Sequence, residues 1–314
     1  MSTGSSNAHS ELRIGAVANG GPSDERHEVS FAVPQDPMTR PVAVIGAGTL
    51  GRRIALMFAT RGGEVRIYDP SANARRDATE YVGSELPEVV QTVPSGTPGR
   101  VVTTDELASA LPGAWLVIEA VPEKFELKLS VFAALKEAAD PDAILTTNSS
   151  SYPSSSFAST LSAPERLLNA HFFMPPAQRA VELMTSGTTD SRVFELLRAV
   201  LPEYGLHPFV ARRESMGFIF NRVWAAMKRE VLQVVADGVA APEDVDALWR
   251  MNTGLPTGIF EGMDQVGLDV VLDIEENYAR AYPHLSEAPR QLLRTYVDAG
   301  HLGVKTGRGF YPYE

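Results

Sequence analysis

Pro41-Val-Ala-Val-Ile45 is a short, unbroken apolar run that stops at a cluster of glycines, the pattern of a strand buried on both faces and ending in a tight turn. Ile54, Ala55, Phe58 and Ala59 then recur at helical spacing until Arg61-Gly62-Gly63 closes the segment. Glu64-Val-Arg-Ile-Tyr-Asp69 reads as a second strand, so the three segments form one βαβ unit. A helical stretch from Ala72 to Gly83, a Pro/Gly-rich loop from Val93 to Gly99 and a strand-like Arg100-Val-Val-Thr103 follow. Ala114 to Glu119 is a further buried strand, an amphipathic helix runs through Lys128, Val131, Phe132 and Leu135, and Ala143 to Thr147 is another strand leading into Asn148-Ser149-Ser150. The pattern changes near Ser215. Phe218, Ile219, Val223, Trp224, Met227, Val231 and Val234 mark a long helix from Met216 to Val235, Pro242 opens another, and no strand-like alternation returns before Gly303.

Strands alternating with helices predict a doubly wound, mostly parallel α/β sheet, here followed by an all-helical C-terminal domain. The ligand crevice of such a sheet lies beyond the carboxyl ends of its strands, where Asp69, Glu119 to Glu123 and Asn148 to Ser150 all fall. The turn after the first strand, Gly46-Ala-Gly48-Thr49-Leu50-Gly51, has the spacing of a dinucleotide fingerprint. Its first glycine permits the sharp turn, its second lets backbone approach a pyrophosphate, and its third lets helix pack closely on strand. The phosphates would lie on the unpaired amides of the helix start. Asp69 stands eighteen residues after Gly51, where a carboxylate accepts hydrogen bonds from an adenosine ribose and repels a 2′-phosphate. The unit is therefore predicted to be a Rossmann-type domain that binds NAD in preference to NADP. The bland alternative is a glycine turn with Asp69 capping the next helix.

The 314 residues suffice for two domains, and 44% apolar content is ordinary for a globular chain. The expected boundaries are a disordered leader at 1–38, rich in Ser, Gly, Asn and acids, an NAD-binding domain at 39–213 and a helical domain at 214–314 that carries part of the substrate cleft and mediates dimerisation. A net charge of −11 without a long Lys/Arg cluster argues against nucleic acid as a partner. No apolar run reaches the roughly 18 residues a membrane helix needs. With no cysteine, thiolate metal sites and cysteine nucleophiles are excluded, and no metal site is expected. The leader has neither the apolar core of a secretory signal nor the Arg-rich character of a transit peptide, so a cytoplasmic location is expected.

Read together, Thr147-Asn148-Ser149-Ser150, His171-Phe172-Phe173-Met174-Pro175, Val181-Glu182-Leu183, Gly217-Phe218-Ile219-Phe220-Asn221-Arg222, Val266-Gly267-Leu268-Asp269 and Gly303-Val-Lys305-Thr-Gly307-Arg-Gly309-Phe310-Tyr311 resemble the 3-hydroxyacyl-CoA dehydrogenase family over residues 41–314. The resemblance implies an NAD-dependent dehydrogenase acting on a CH–OH group, probed at four positions. His171 matches the family base that takes the proton of the 3-hydroxyl, and Glu182 its partner carboxylate. Ser150 matches a serine reaching the substrate oxygen and the nicotinamide region, and Asn221 an asparagine bonded to the reacting group. Glu123 and Lys128 match positions near the nicotinamide and its ribose, and Lys305 one at the cofactor edge, although a solvated surface charge explains each of these three as well. Relatives also imply a homodimer. Taken singly, Ser150 could cap a helix, Asn221 could serve helix packing, and His171 could be a satisfied structural histidine.

Some positions depart from the family pattern. The interval from His171 to Glu182 is one residue short, Met174 replaces an asparagine, and Arg53 stands where a small residue is common. Residues 70–118 contain no lysine, although relatives use a serine and a lysine there to contact coenzyme A; Arg75 and Arg76 are the cations available, with a solvated helix face as their simpler explanation. The substrate is therefore expected to be a 3-hydroxyacyl thioester, with a group bound to an acyl carrier protein, a free hydroxy acid or a sugar acid as alternatives for the same chemistry. A non-catalytic NAD-binding protein is the alternative outside enzymology.

Overall fold

Within the first strand, β1 (Val42–Ile45), side chains sort alternately into two cores: Val42 and Val44 join one cluster, Ala43 and Ile45 the other. This is the period-two geometry of a strand covered on both faces, and it explains why the sequence shows a continuous apolar run rather than alternation. The structure, a computed structural model, describes residues 31–313. Its remaining strands are β2 (Glu64–Tyr68), β3 (Arg100–Thr104), β4 (Leu116–Glu119), β5 (Ile144–Thr147), β6 (Leu167–Phe172), β7 (Ala180–Thr185) and β8 (His207–Ala211). They form one sheet in the order β3-β2-β1-β4-β5-β6-β7-β8, parallel except for the antiparallel β6–β7 pair. The order reverses between β1 and β4, the place where a doubly wound sheet opens a crevice.

Helices α1 (Thr49–Phe58), α2 (Ala72–Val89), α3 (Leu107–Ala110), α4 (Phe125–Ala138), α5 (Ser155–Ala158) and α6 (Ser191–Val200) connect the strands. The side chains Ile54, Phe58 and Val82 of α1 and α2 pack on one face of the sheet; Val131, Phe132 and Leu135 of α4 and Phe157 of α5 pack on the other. The chain then becomes helical: α7 (Phe220–Ala236), α8 (Pro242–Thr253), α9 (Ile259–Val266), α10 (Leu268–Ala281) and α11 (Ala288–Asp298) enclose a separate core of Leu232, Ile259, Phe260, Met263, Leu268, Val271, Leu293 and Phe310. Among the described residues no helix is long and apolar enough to cross a membrane.

The C-terminal Gly303–Tyr311 motif closes this helical core. Asp264 of α9 is buried and accepts hydrogen bonds from the amides of Phe310 and Tyr311, both at 3.0 Å, and from the hydroxyl of Tyr313 at 2.9 Å. A side chain at Gly309 would collide with that carboxylate. Burial beside it pushes the Tyr313 phenol well above its ordinary range.

Three local readings change. Helix α2 extends six residues beyond Gly83 to Val89. Helix α7 begins at Phe220 rather than Met216, because Gly217 and Phe218 both take positive φ, 74° and 55°, which breaks the helical run. Within residues 31–38 of the expected leader Phe31 and Pro34 are buried, and the adjoining Arg40 is ion-paired with Asp142. The rest of that leader lies outside the described residues.

Candidate active site

The glycine turn leaves the sheet at the carboxyl end of β1. Gly46 has φ 116°, and a Cβ there would lie 2.6 Å from the carbonyl oxygen of Ala120, just beyond β4. A Cβ on Gly51 would lie 1.9 Å from the Gly46 carbonyl oxygen, so the third glycine is what lets α1 sit on the turn. Gly48 is the N-cap of α1, offers no side-chain cap, and meets nothing within 4 Å where a side chain would stand. Thr49 and Leu50 follow in the first turn of the helix. Asp69, just beyond β2, accepts from the Ala47 amide at 2.9 Å and from the Ser71 amide at 2.8 Å. Helix α2 is capped by Ser71, so the simple capping explanation of Asp69 does not hold. An open helix start, a cradle that any Cβ would fill and a fixed carboxylate suit a dinucleotide.

Beside β1, the ends of β4 and β5 carry a buried ionic cluster. Lys128, 1% exposed, projects from α4 and donates to Glu119 Oε1 and Oε2 at 2.8 and 3.0 Å. It also lies 3.1 Å from Glu123. Thr147 donates to Glu119 at 2.6 Å. Burial would raise the Glu123 carboxyl, but the Ser149 hydroxyl, Lys128 and the Ser151 amide hold it below its ordinary value. Lys128 is thus no solvated surface charge. Glu123 is itself exposed, and it bonds the two neighbours of Ser150, which is also an exposed residue.

Across the sheet, His171 on β6 stands directly opposite Glu182 on β7. Nδ1 of the imidazole is 3.2 Å from Glu182 Oε2. A carboxylate only accepts, so Nδ1 carries the hydrogen and Nε2 is left as the ring's acceptor. The other oxygen, Oε1, accepts from the amides of Ile219 and Phe220 at 2.9 and 2.8 Å, the unpaired donors at the start of α7. Burial alone would raise Glu182, yet the bonds from His171, Phe220 and Ile219 bring it below its ordinary value. The ring of His171 lies between Phe218 and Phe173, each with its centroid 5.0 Å away. Asn148 Oδ1 accepts the Phe172 amide at 2.8 Å, which fixes the end of β6 against β5.

His171, Glu182 and Asn221 share one cavity of about 700 Å³, walled by Phe173, Phe209, Ile219, Phe220 and Val223. Ser150 lies outside that lining, two residues beyond Asn148. Lys305 is also outside that lining: it pairs with Asp269 at 2.5 Å, and among the described residues no hydrogen bond or ion pair links it to His171 or Glu182. Glu119 and Asn148, expected at the crevice, and Phe173 and Phe218, noted only within motifs, are parts of the cluster to which sequence reading gave no individual role. Their signal was adjacency to the motifs, since each lies within a few residues of a polar position already singled out.

The sheet order and the glycine cradle define a Rossmann-type dinucleotide-binding domain, with a histidine held by a carboxylate on two of its strands. Residues 41–215 match the model of the 3-hydroxyacyl-CoA dehydrogenase NAD binding domain, and residues 217–313 that of the 3-hydroxyacyl-CoA dehydrogenase C-terminal domain. The chain belongs to the 3-hydroxyacyl-CoA dehydrogenase family, whose members are NAD-dependent enzymes acting on CH–OH groups. A 3-hydroxyacyl-CoA dehydrogenase-like protein of Cochliobolus heterostrophus is 48% identical over 157 residues, 49% of this chain and 33% of that protein. The 3-hydroxyadipyl-CoA dehydrogenase of Escherichia coli is 34% identical over 280 residues, 87% of this chain and 58% of that protein. The chain therefore spans about a third and rather more than half of the lengths of these two relatives. The crystal structure of (S)-3-hydroxybutyryl-CoA dehydrogenase from Ralstonia eutropha aligns with a TM-score of 0.78 at 29% identity, covering 88% of this chain and 99% of that one.

Proposed function

We propose that this protein interconverts the hydroxyl and keto forms of a 3-hydroxyacyl thioester, with His171 as the base and acid. The observation that carries the reading is the imidazole fixed through Nδ1 by Glu182 while its other nitrogen is left to accept, at the wall of an apolar cavity. Bound NAD supplies the ring that takes up the hydride from the carbinol carbon. His171 Nε2 accepts the hydroxyl proton and returns it in the reverse direction, a task suited to a ring nitrogen that can both accept and donate a proton. Glu182 holds the tautomer and balances the positive charge that the ring acquires. The amide of Asn221 and the hydroxyl of Ser150 are the neutral donors for the substrate oxygen. Phe173, Phe209, Phe220 and Val223 offer an apolar wall to the acyl chain.

Gly46, Gly48, Thr49, Leu50 and Gly51 would cradle the pyrophosphate, and Asp69 the adenosine ribose. Glu123 and Lys128 shape the nicotinamide end of the cleft, Lys128 from below the surface. Residues 39–213 act as the cofactor domain and 214–314 as the helical domain. The latter is assigned the homodimer contact, supported by the exposed side chains of Val239, Leu248, Met251 and Leu255.

The test is NADH absorbance with 3-hydroxybutyryl-CoA, the same acyl group on a carrier protein, and free 3-hydroxybutyrate. Thioester turnover that falls about 10²- to 10⁴-fold in His171→Ala, with NADH still bound, is expected. Turnover of free acids alone would overturn the thioester assignment. NADH binding without turnover of any of the three would make the protein a non-catalytic binder.

A further inference from the structure

We infer that Arg52 and Arg53 form a binding subsite for an anionic group, carboxylate or phosphate, carried by the substrate and bound beside the hairpin that carries His171 and Glu182. The inference rests on the functional reading above. The two arginines follow Gly51 in the opening turns of α1. Their guanidinium carbons lie 4.9 and 5.3 Å from the ring centroid of Tyr81 on α2, so neighbouring cations gather around one aromatic ring. Arg53 Nη1 donates to the Pro175 carbonyl at 3.0 Å. Pro175 lies four residues beyond His171, in the loop joining the two strands that carry His171 and Glu182. The cation is therefore tied to the hairpin that holds the proposed base.

Neither arginine is electrically satisfied. Both Nε atoms are buried without a hydrogen-bond partner, and among the described residues neither side chain makes an ion pair, including with Glu85 on the same helix as Tyr81. Their neighbours contrast with them. Arg75 pairs with Asp105 at 3.1 Å and donates to the carbonyls of Asp69 and Pro70; Arg76 pairs with Asp77 at 3.0 Å. Arg179 is spent on Thr92 and Pro176. Residues 70–118 hold no lysine, so on α1 and α2 the cations without an ion-pair partner among the described residues are Arg52 and Arg53. Two adjacent guanidinium groups without a carboxylate partner present planar forks whose geometry matches a carboxylate or a phosphate.

The experiment titrates NADH-saturated protein calorimetrically with coenzyme A, the phosphate arm, and with adipate, the dicarboxylate arm. Wild-type protein should bind at least one of them. The double variant Arg52→Gln, Arg53→Gln, which keeps most of each stem, should weaken that ligand about 10- to 100-fold. Arg53→Lys should recover part of the loss, because it restores charge without the fork. Urea melts and NADH titration of each variant report on the fold. The arm that responds identifies the anion. Equal affinity in wild type and double variant, or binding of neither ligand by wild type, would overturn the subsite. Wild-type turnover in the assay above separates the two claims: arginine-dependent binding without turnover removes the function and leaves the subsite, while turnover with an indifferent double variant does the reverse.

Discussion

Replacing Glu182 by glutamine or by alanine should divide two jobs that one carboxylate performs. In alanine, the amides of Ile219 and Phe220 and the Nδ1 hydrogen of His171 lose their acceptor. An unsatisfied buried donor costs about 1–3 kcal/mol. Ile219 and Phe220 are exposed and can recruit water, so the sum should fall toward the low end, about 2–4 kcal/mol. Glutamine keeps one oxygen, which can serve the two α7 amides, and the stability loss should be about 1 kcal/mol or less. Its NH₂ group then faces Nδ1. A donor against Nδ1 forces the hydrogen onto Nε2, the wrong tautomer for a base, and kcat should fall about 10²- to 10⁴-fold. Urea denaturation and NADH-coupled kinetics, run on the same preparations, give both numbers. Glutamine activity within threefold of wild type would refute the tautomer argument, and equal unfolding free energies for the two variants would refute the capping argument.

Other consequences can be checked separately. The folded-state pKa of Glu182 lies below its ordinary value of about 4.3, so unfolding takes up a proton in that interval. The stability this group contributes is present above the unfolded value and is lost as pH falls through the folded one. Urea midpoints followed from about pH 6 to about pH 3 should therefore drop more steeply for wild type than for Glu182→Gln; parallel slopes would contradict the assignment. Lys128→Met should cost about 3–5 kcal/mol, because it strands the buried Glu119 carboxylate; a urea midpoint unchanged from wild type would show that Glu119 finds another partner. Gly51→Ala should abolish NADH fluorescence enhancement, since its Cβ would meet the Gly46 carbonyl at 1.9 Å; unaltered NADH affinity would mean the turn yields more easily than its packing indicates. Asp264→Ala should destabilise the chain by about 2–4 kcal/mol through the Phe310 and Tyr311 amides, measured as a lower urea midpoint, with no loss meaning that the tail contributes little.

Strands β1, β2, β4 and β5 and the glycine turn were legible because their signals are local: apolar runs, a fixed glycine spacing and an acid at a strand end. The paired residues His171 and Glu182 were legible through the order of short motifs, and the β6–β7 register is what brings them face to face. The strands β6 to β8 escaped notice for physical reasons. Strand β6 buries Asn169 and His171, whose polar atoms are satisfied by Ser154, Tyr152 and Glu182, so its pattern does not read as apolar. Strand β8 is an edge strand that leaves Phe209 exposed. Lys128 looked like a helix surface charge because its partners Glu119 and Glu123 belong to a strand end and the following loop, and only folding buries Lys128 and Glu119 together beneath the more exposed Glu123. Phe31 gave no periodic signal at all, since a single anchoring side chain makes no pattern.

The two oxygens of Glu182 face different halves of the molecule. One holds a ring on the sheet, and the other grips the first turn of the helical half. Any hinge movement that pulls α7 away would also loosen the carboxylate that sets the imidazole's tautomer. In the proposed function, the side chain that orients the proton carrier is thus also the bolt that fastens the helical half to the sheet.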